Sequence, residues 1–216
     1  MWELLKLGGW VMWPIMACAV LTLAIVLERF WTLRRSSVIP PTLGEEVREW
    51  AARGKLDPAH IEALRQNSPL GELLAAALEV RDRPREQIKE RVEDIGRHVV
   101  HEMERFLNTL GTIASVAPLL GLLGTVFGMI GMFFGILESG VGDAARLAGG
   151  IGEALITTAA GLCVAIPALM LYRYFRGRVA EYVVEMEKQA VALLDTIEAG
   201  SPKAPAAPRG GARRTR

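Results

Sequence analysis

The segment that decides the fold reads GLLGTVFGMIGMFFG and runs from Gly121 to Gly135. Glycine recurs in it in steps of three, four, three and four residues, a heptad spacing that places all five glycines on one face of a helix. The five are Gly121, Gly124, Gly128, Gly131 and Gly135. One polar side chain, Thr125, lies beside that face. The segment belongs to an uncharged stretch from Phe106 to Leu137, and a helix needs only about 20 apolar residues to cross a bilayer.

Two other stretches also lack Asp, Glu, Lys and Arg, from Leu7 to Leu27 and from Ala154 to Tyr172. The sequence therefore predicts an all-α integral membrane protein with three transmembrane helices. The first stretch does not have the charge pattern of a signal peptide, because Lys6 is the only cation before it. Several arginines follow it in ERFWTLRR, which is typical of an anchor that ends at the cytoplasmic surface.

The positive charges predict the orientation in the membrane. Of the 25 Lys and Arg residues, 14 lie between Glu28 and Arg105 and 9 lie from Arg173 to the end. Only Lys6 and Arg146 lie elsewhere. Because Lys and Arg concentrate on the cytoplasmic side, the amino terminus is expected outside and the carboxyl terminus inside.

The apolar pattern predicts that two of the membrane helices extend far into the cytoplasm. Apolar residues recur at helical spacing from Arg85 into the second span, which predicts one helix over 85–137 with a possible kink at Pro118. A similar stripe continues the third span. The expected division is an outside amino terminus and first span (1–35), a cytoplasmic helical region (36–84), the long second helix (85–137), a periplasmic loop (138–152), the third span with its cytoplasmic helix (153–200) and a disordered basic tail (201–216).

The third span has a face of small residues that matches the glycine face of the second. Its members are Ala154, Thr158, Gly161, Ala165 and Ala168. In lipid, helices associate through close van der Waals contact, which small residues permit. These faces could pack against each other within one chain, or against other chains or a central partner. We favour the second interpretation, which predicts a homo-oligomer.

Polar residues in the two core spans are few. For Thr125, Thr157 and Thr158 the ordinary explanation is a hydroxyl that bonds a carbonyl one turn back in its own helix. Glu153 is different, because an ionisable residue in a membrane span is a functional candidate by default.

The depth of Glu153 depends on which end of the helix is used for counting. Counted back from Arg173, it is about 30 Å away, at the outer surface. Counted from Asp143 as the N-cap, it is about 15 Å into the helix. We favour a position within the membrane.

Other classes of function have little support. No nucleotide-binding loop and no nucleophile with a neighbouring base are visible, so neither an enzyme nor a cofactor is predicted. His98 and His101 share a helix face, but a metal site needs three or four converging ligands, so a solvated face is favoured. The tail at 201–216 could touch anionic lipid or nucleic acid, and a soluble end without a nucleic-acid partner is favoured.

Two motifs resemble a known family. APLLGLLGTVFGMIGMF and GIGEALITTAAGLCVAIPALMLY are similar to the two core spans of the ExbB/TolQ/MotA proton-channel family. The similarity is strong from Glu104 to Phe175, and the three-span layout matches as well. ExbB resembles the chain most, TolQ shares nearly the same motifs, and MotA has four spans.

The resemblance implies a function and a set of partners. ExbB-like proteins form pentamers in the bacterial inner membrane around single-span ExbD-like subunits, whose acidic residue takes the proton. The complex drives a TonB-like energy transducer. By motif, Thr125 and Thr158 correspond to pore-side threonines and Glu153 to the family's glutamate, while Thr157 stands where the family often has alanine. A TolQ-like motor for envelope maintenance and a passive membrane scaffold are the alternatives.

Overall fold

The computed structural model of the chain describes residues 9–53, 57–139 and 144–200, and these residues contain helices and no strand. The helices are α1 (Met12–Thr32), α2 (Arg35–Val38), α3 (Leu43–Arg53), α4 (Pro58–Asn67), α5 (Pro69–Glu79), α6 (Arg85–Glu104), α7 (Leu107–Ser139) and α8 (Ala144–Gly200). Three of them, α1, α7 and α8, are long and apolar enough to cross a membrane. The all-α fold with three candidate membrane-spanning helices is thereby confirmed.

The chain divides into two compact units. The first comprises Met1–Ile39 and Arg97–Glu185, and it contains the apolar parts of α1, α7 and α8. Many large apolar side chains of this unit are exposed, Leu137 and Leu155 among them, as expected where lipid rather than water is the solvent. In this unit α1 contacts α7.

The second unit comprises Pro40–Gly96 and Met186–Arg216, and its short helices are set by their caps. Asp57 caps α4 by accepting a hydrogen bond from the Ala59 amide at 3.2 Å, and Ser68 caps α5 by accepting one from Gly71 at 3.1 Å. A proline follows each cap, where its missing N–H costs nothing. The apolar side of α5 is buried, with Leu70 and Leu74 almost inaccessible.

An ion-pair cluster joins α6 to the end of α8 in this second unit. The Arg85 guanidinium contacts the carboxylates of Glu198 and Asp195, the latter at 3.2 Å. Hydrogen bonds to Glu198 and then Asp195 raise the pKa of the Arg85 side chain above its ordinary value.

Where the sequence predicts one helix over 85–137, the structure has two, because α6 ends at Glu104 and α7 begins at Leu107. Phe106 has a φ of 62°, the left-handed conformation that ends a helix and that a bulky residue adopts only when other contacts require it. The apolar stripe of the sequence continues through this point, so the pattern does not reveal the break.

Arg29, near the end of α1, contacts the break and accounts for it physically. The residue is 3% exposed, and its side chain donates a hydrogen bond to the carbonyl of Met103 at 3.0 Å. In a continuous helix that carbonyl would accept from the amide of Leu107. The Arg29 guanidinium also pairs with Glu28 and lies 5.5 Å from the ring centroid of Phe106.

The third membrane helix starts earlier than predicted. It begins at Ala144, so most of the loop expected over 138–152 is helical, and only 140–143 lie outside the described residues. Pro118 and Pro167 lie inside α7 and α8 without ending either helix, as membrane helices allow. The predicted N-cap Asp143 and the predicted basic tail 201–216 lie outside the described residues.

Candidate functional site

The two faces of small residues pack against each other within one chain. A Cβ added at Gly121 would lie 3.0 Å from both the carbonyl oxygen of Thr157 and the Cα of Thr158. A Cβ added at Gly161 would lie 2.6 Å from the carbonyl oxygen of Ala117. Since real Cβ atoms almost never approach so closely, the backbones of α7 and α8 are in direct contact here.

The next two glycines of α7 extend this contact toward the start of α8. A Cβ at Gly124 would overlap Oγ1 of Thr157 and lie 2.5 Å from its Cβ. A Cβ at Gly128 would lie 3.0 Å from the carbonyl oxygen of Gly150 and 3.2 Å from Cβ of Ala154. Gly124 thus provides the space that the side chain of Thr157 fills.

The glycine face, which we expected to meet other chains, is therefore occupied in large part by α8 of the same chain. This holds for Gly121, Gly124 and Gly128. At Gly131 an added Cβ would meet nothing within 4 Å, so the face is open there. Gly135, one turn further along, is half-buried. Packing within one chain, the interpretation that the sequence left as second choice, applies to the first three glycines.

Thr158 is the threonine that connects the two helices. Its hydroxyl donates a hydrogen bond to the carbonyl oxygen of Gly121 at 3.2 Å. The other small residues of its face, Ala154, Ala165 and Ala168, are buried. The ordinary explanation of a bond within the same helix does not apply to Thr158, because the acceptor belongs to α7.

Thr157 and Thr125 bond carbonyls of their own helices. The hydroxyl of Thr157, which is fully buried, lies 3.0 Å from the carbonyl of Glu153 and 2.9 Å from that of Ala154. The hydroxyl of Thr125 donates to the carbonyl of Leu122 at 2.7 Å, and its side chain is half-buried. Each hydroxyl proton is therefore used within the chain. The oxygen of the half-buried Thr125 can still accept a hydrogen bond from a partner, whereas the fully buried Thr157 is out of reach of one.

The three hydroxyls lie at one level of the helix pair. Gly121 is opposite Thr158, Gly124 is opposite Thr157, and Thr125 follows Gly124 directly in α7. Thr157 and Thr158 therefore lie at the contact of α7 and α8, and Thr125 lies beside that contact at the same level of α7. Such a group can hold a water molecule or face a partner's polar side chain within the membrane.

Glu153 lies at the level where α1 begins. It is half-buried, and its carboxylate is against the backbone of Gly9, whose φ of 63° favours glycine. Gly9 precedes α1, which begins at Met12. Met12 and Arg29 are about 26 Å apart along that helix, close to the thickness of the hydrocarbon core. Glu153 is thus nearer to the end of the span than to its centre.

The sequence does not indicate the surroundings of two other polar groups in the membrane region. The hydroxyl of Thr22, in the middle of α1, is buried and has no hydrogen-bond partner among the described residues. Arg29 resembles an ordinary anchor charge in the sequence, and only its burial shows its contact with Met103. In both cases the signal is the three-dimensional contact rather than a motif.

A metal centre is not formed by the described part of the chain. No group of three or more His, Cys, Asp or Glu side chains converges there. His98 pairs instead with Glu102 at 3.7 Å on the exposed side of α6. Cys18 and Cys163 are free.

The geometry defines an integral membrane protein whose two core helices pack through small residues beside a cluster of hydroxyls. The family model described as the MotA/TolQ/ExbB proton channel family matches residues 65–188, more than half of the chain. The chain therefore belongs to the MotA/TolQ/ExbB proton channel family.

Curated relatives of the chain have names of the ExbB group. The biopolymer transport protein ExbB-like 1 of Synechocystis is 37% identical over 174 residues, which are 79% of this chain and 68% of that protein. An ExbB homologue of Methanothermobacter thermautotrophicus is 35% identical over 86% of this chain and 66% of its own length. The biopolymer transport protein ExbB of Salmonella typhimurium is 35% identical over 53% of this chain and 46% of its own length.

Proposed function

We propose that this chain is the multi-span subunit of a proton-driven motor in a bacterial inner membrane. Its partner is an ExbD-like single-span subunit with an acidic residue, and the complex works on a TonB-like energy transducer. Membership of the proton channel family and the ExbB names of the relatives support this proposal. In this proposal the acidic residue of the partner carries the proton through the span, while this chain supplies hydroxyl groups along the path and the carboxylate of Glu153 near one end of it.

The observation that carries the proposal is the cluster of hydroxyls from Thr125, Thr157 and Thr158 at one level of α7 and α8. A proton crosses hydrocarbon only where polar groups or water line the path. Thr125 and Thr158, which are half-buried, have oxygen atoms with free lone pairs that can accept a hydrogen bond from a protonated carboxyl group on the partner's helix. A passive scaffold would need only the small residues.

Glu153 belongs to the same pathway in this proposal, at the end nearer the start of α1. A carboxylate there can exchange protons between the outside water and the hydroxyl cluster. Its carboxylate lies against the backbone of Gly9, just before the start of α1. The charge distribution supports an outside amino terminus and a cytoplasmic carboxyl terminus.

The proposal includes a homo-oligomer, most simply a pentamer. Since α8 covers Gly121, Gly124 and Gly128, the chain offers other surfaces for assembly. Gly131 is open, and Phe133 and Phe134 near it are exposed. Those residues, rather than the covered glycines, are the proposed contact with neighbouring chains or the central partner.

The experiment that tests the function is proton flux into liposomes that contain this chain and its ExbD-like partner. Glu153→Gln and Thr158→Val should each abolish most of the flux that depends on the partner. Thr112→Val is the matched control, because the Thr112 hydroxyl is exposed and bonds only the Asn108 carbonyl of its own helix at 2.9 Å. Wild-type flux in both test variants, at normal protein level, would refute the pathway. The transducer that co-purifies with the complex decides between an ExbB-like and a TolQ-like role.

A further inference from the structure

A cavity of about 650 Å³ lies beside the carboxyl end of α1, within the first unit of the fold. Four arginines line it, Arg29, Arg34, Arg35 and Arg178. No acidic side chain is among its lining residues. The cavity is distinct from the hydroxyl cluster, since it lies at the opposite end of α1 from Gly9 and Glu153.

Two of the four arginines are already engaged. Arg29 pairs with Glu28 and donates to the Met103 carbonyl. Arg178 donates to Glu181 at 3.0 Å and to the hydroxyl of Tyr182 at 2.6 Å. These bonds hold the guanidinium groups of Arg29 and Arg178 in fixed positions at the wall of the cavity.

The other two arginines are not paired with a carboxylate among the described residues. Arg34 and Arg35 are exposed, and neither forms an ion pair within 4.0 Å with a carboxylate in the part of the chain that the structure describes. Arg34 lies 5.0 Å from the ring centroid of Trp31, which orients its planar group. Two adjacent guanidinium groups with free donors match the oxygens of a phosphate, which they can bind bidentately.

The remaining surface of the cavity is aromatic and continuous with apolar membrane surface. Phe30 packs against Phe175 at 5.0 Å and against Tyr174 at 6.2 Å between ring centroids. One and two turns earlier in α1, Leu27 and Leu23 are more than half exposed. Aromatic rings above an exposed apolar helix face are typical of the level of lipid headgroups.

We propose that this cavity binds a phosphate-bearing anion, and that the source is the headgroup of an anionic phospholipid. Arg34 and Arg35 bind the phosphate, Phe30 and Tyr174 pack against the glycerol, and an acyl chain lies along Leu27. Free inorganic phosphate shares the charged contacts but not the apolar ones. The lipid would fasten the end of α1 beside α8, next to the break between α6 and α7.

The test uses the purified full-length protein in detergent, titrated with phosphatidylglycerol and, separately, with phosphatidylcholine of the same acyl chains, and read by native mass spectrometry. Arg34→Gln/Arg35→Gln should weaken phosphatidylglycerol binding by roughly 10- to 30-fold, since each cation near an anionic headgroup contributes about a factor of five. Both side chains are exposed, so the variant is expected to fold.

Arg173→Gln/Arg176→Gln is the matched control. Arg173 and Arg176 are exposed on the turns of α8 that carry Tyr174 and Arg178, but they do not line the cavity. Their double substitution removes the same amount of charge. Their double variant should change binding by less than about threefold, and phosphatidylcholine should bind all variants weakly and alike. An equal loss of phosphatidylglycerol binding in both double variants would mean that the lipid is attracted diffusely to the charged surface. Unchanged binding in Arg34→Gln/Arg35→Gln would mean that the cavity is not a binding site. Competition by millimolar inorganic phosphate as effective as that by the lipid would overturn the lipid as the source.

Discussion

Replacing Gly161 with alanine adds one methyl group where α7 and α8 are in backbone contact. The new Cβ would lie 2.6 Å from the carbonyl oxygen of Ala117 and 3.1 Å from Cα of Gly121. A comfortable carbon–oxygen contact is about 3.3 Å or more, so the helices must separate by about 0.7 Å at this level. Neither neighbour is the end of a flexible side chain, so the strain cannot be relieved by a rotamer change.

The cost follows from three contributions. Overpacking of this kind costs about 1 to 3 kcal/mol. The bond from Thr158 to Gly121, now 3.2 Å, would stretch toward 3.9 Å and be lost, at about 0.6 kcal/mol for a typical hydrogen bond between membrane helices. Alanine favours the helix over glycine by about 1 kcal/mol, which opposes both. We expect a net destabilisation of about 0.6 to 2.6 kcal/mol, the sum of these three contributions.

The chain contains its own control for this prediction. Gly131 belongs to the same heptad series, but a Cβ added there meets nothing within 4 Å. Gly131→Ala should therefore keep the stability of the single chain or raise it by up to about 1 kcal/mol. A change that depends on protein concentration would instead report the contact between chains proposed for Gly131. The measurement is unfolding in mixed micelles by titration with SDS, followed by circular dichroism at two protein concentrations. A Gly161→Ala variant as stable as wild type, or an equal loss in Gly131→Ala, would refute the packing of α7 on α8 within one chain.

Three further predictions use the same titration. Phe106→Gly should be more stable than Phe106→Ala by about 1 kcal/mol, because the backbone at position 106 is in the left-handed conformation, which glycine adopts without strain. If the helix were continuous there, the alanine variant would be the more stable one. Arg29→Met should lower the stability by about 2 to 3 kcal/mol, because it leaves the Met103 carbonyl without its donor. Arg34→Met, at an exposed position, should change the stability by less than about 0.5 kcal/mol. Equal effects of the two substitutions would contradict the role of Arg29. Thr158→Val should cost only about 0.6 kcal/mol, which leaves enough folded protein to measure proton flux, and a loss above about 2 kcal/mol would show that the hydroxyl does more than the single bond described.

Composition and spacing are sufficient to predict the membrane helices and the small faces. Uncharged stretches long enough to cross a bilayer have few other interpretations, and the heptad glycines specify one face of one helix. The same pattern contains no information about which surface covers that face. Small residues allow close approach by any helix, and the intrachain partner becomes visible only when Gly161 is found against Ala117.

The break at Phe106 is beyond prediction for a different reason. Nothing in its neighbourhood stops a helix, because no glycine or proline is near and the apolar stripe continues. The stabilising contact comes from Arg29, 74 positions away from Met103 in the sequence. The level of Glu153 is unpredictable for the same reason, since it depends on a contact with Gly9, 144 positions earlier in the sequence.

The use of the glycines within the chain bears on how the proposed motor would work. Backbone contact at Gly121 and Gly161, together with the bond from Thr158, leaves α7 and α8 little freedom to slide past each other. Thr125, Thr157 and Thr158 then keep a fixed geometry while a partner helix moves. In the proposed complex the pair of helices is the stationary wall, and the change of position that couples proton entry to work must occur in the partner or between chains. Gly161→Ala, by loosening the wall, should therefore lower coupling between flux and work more than it lowers flux itself.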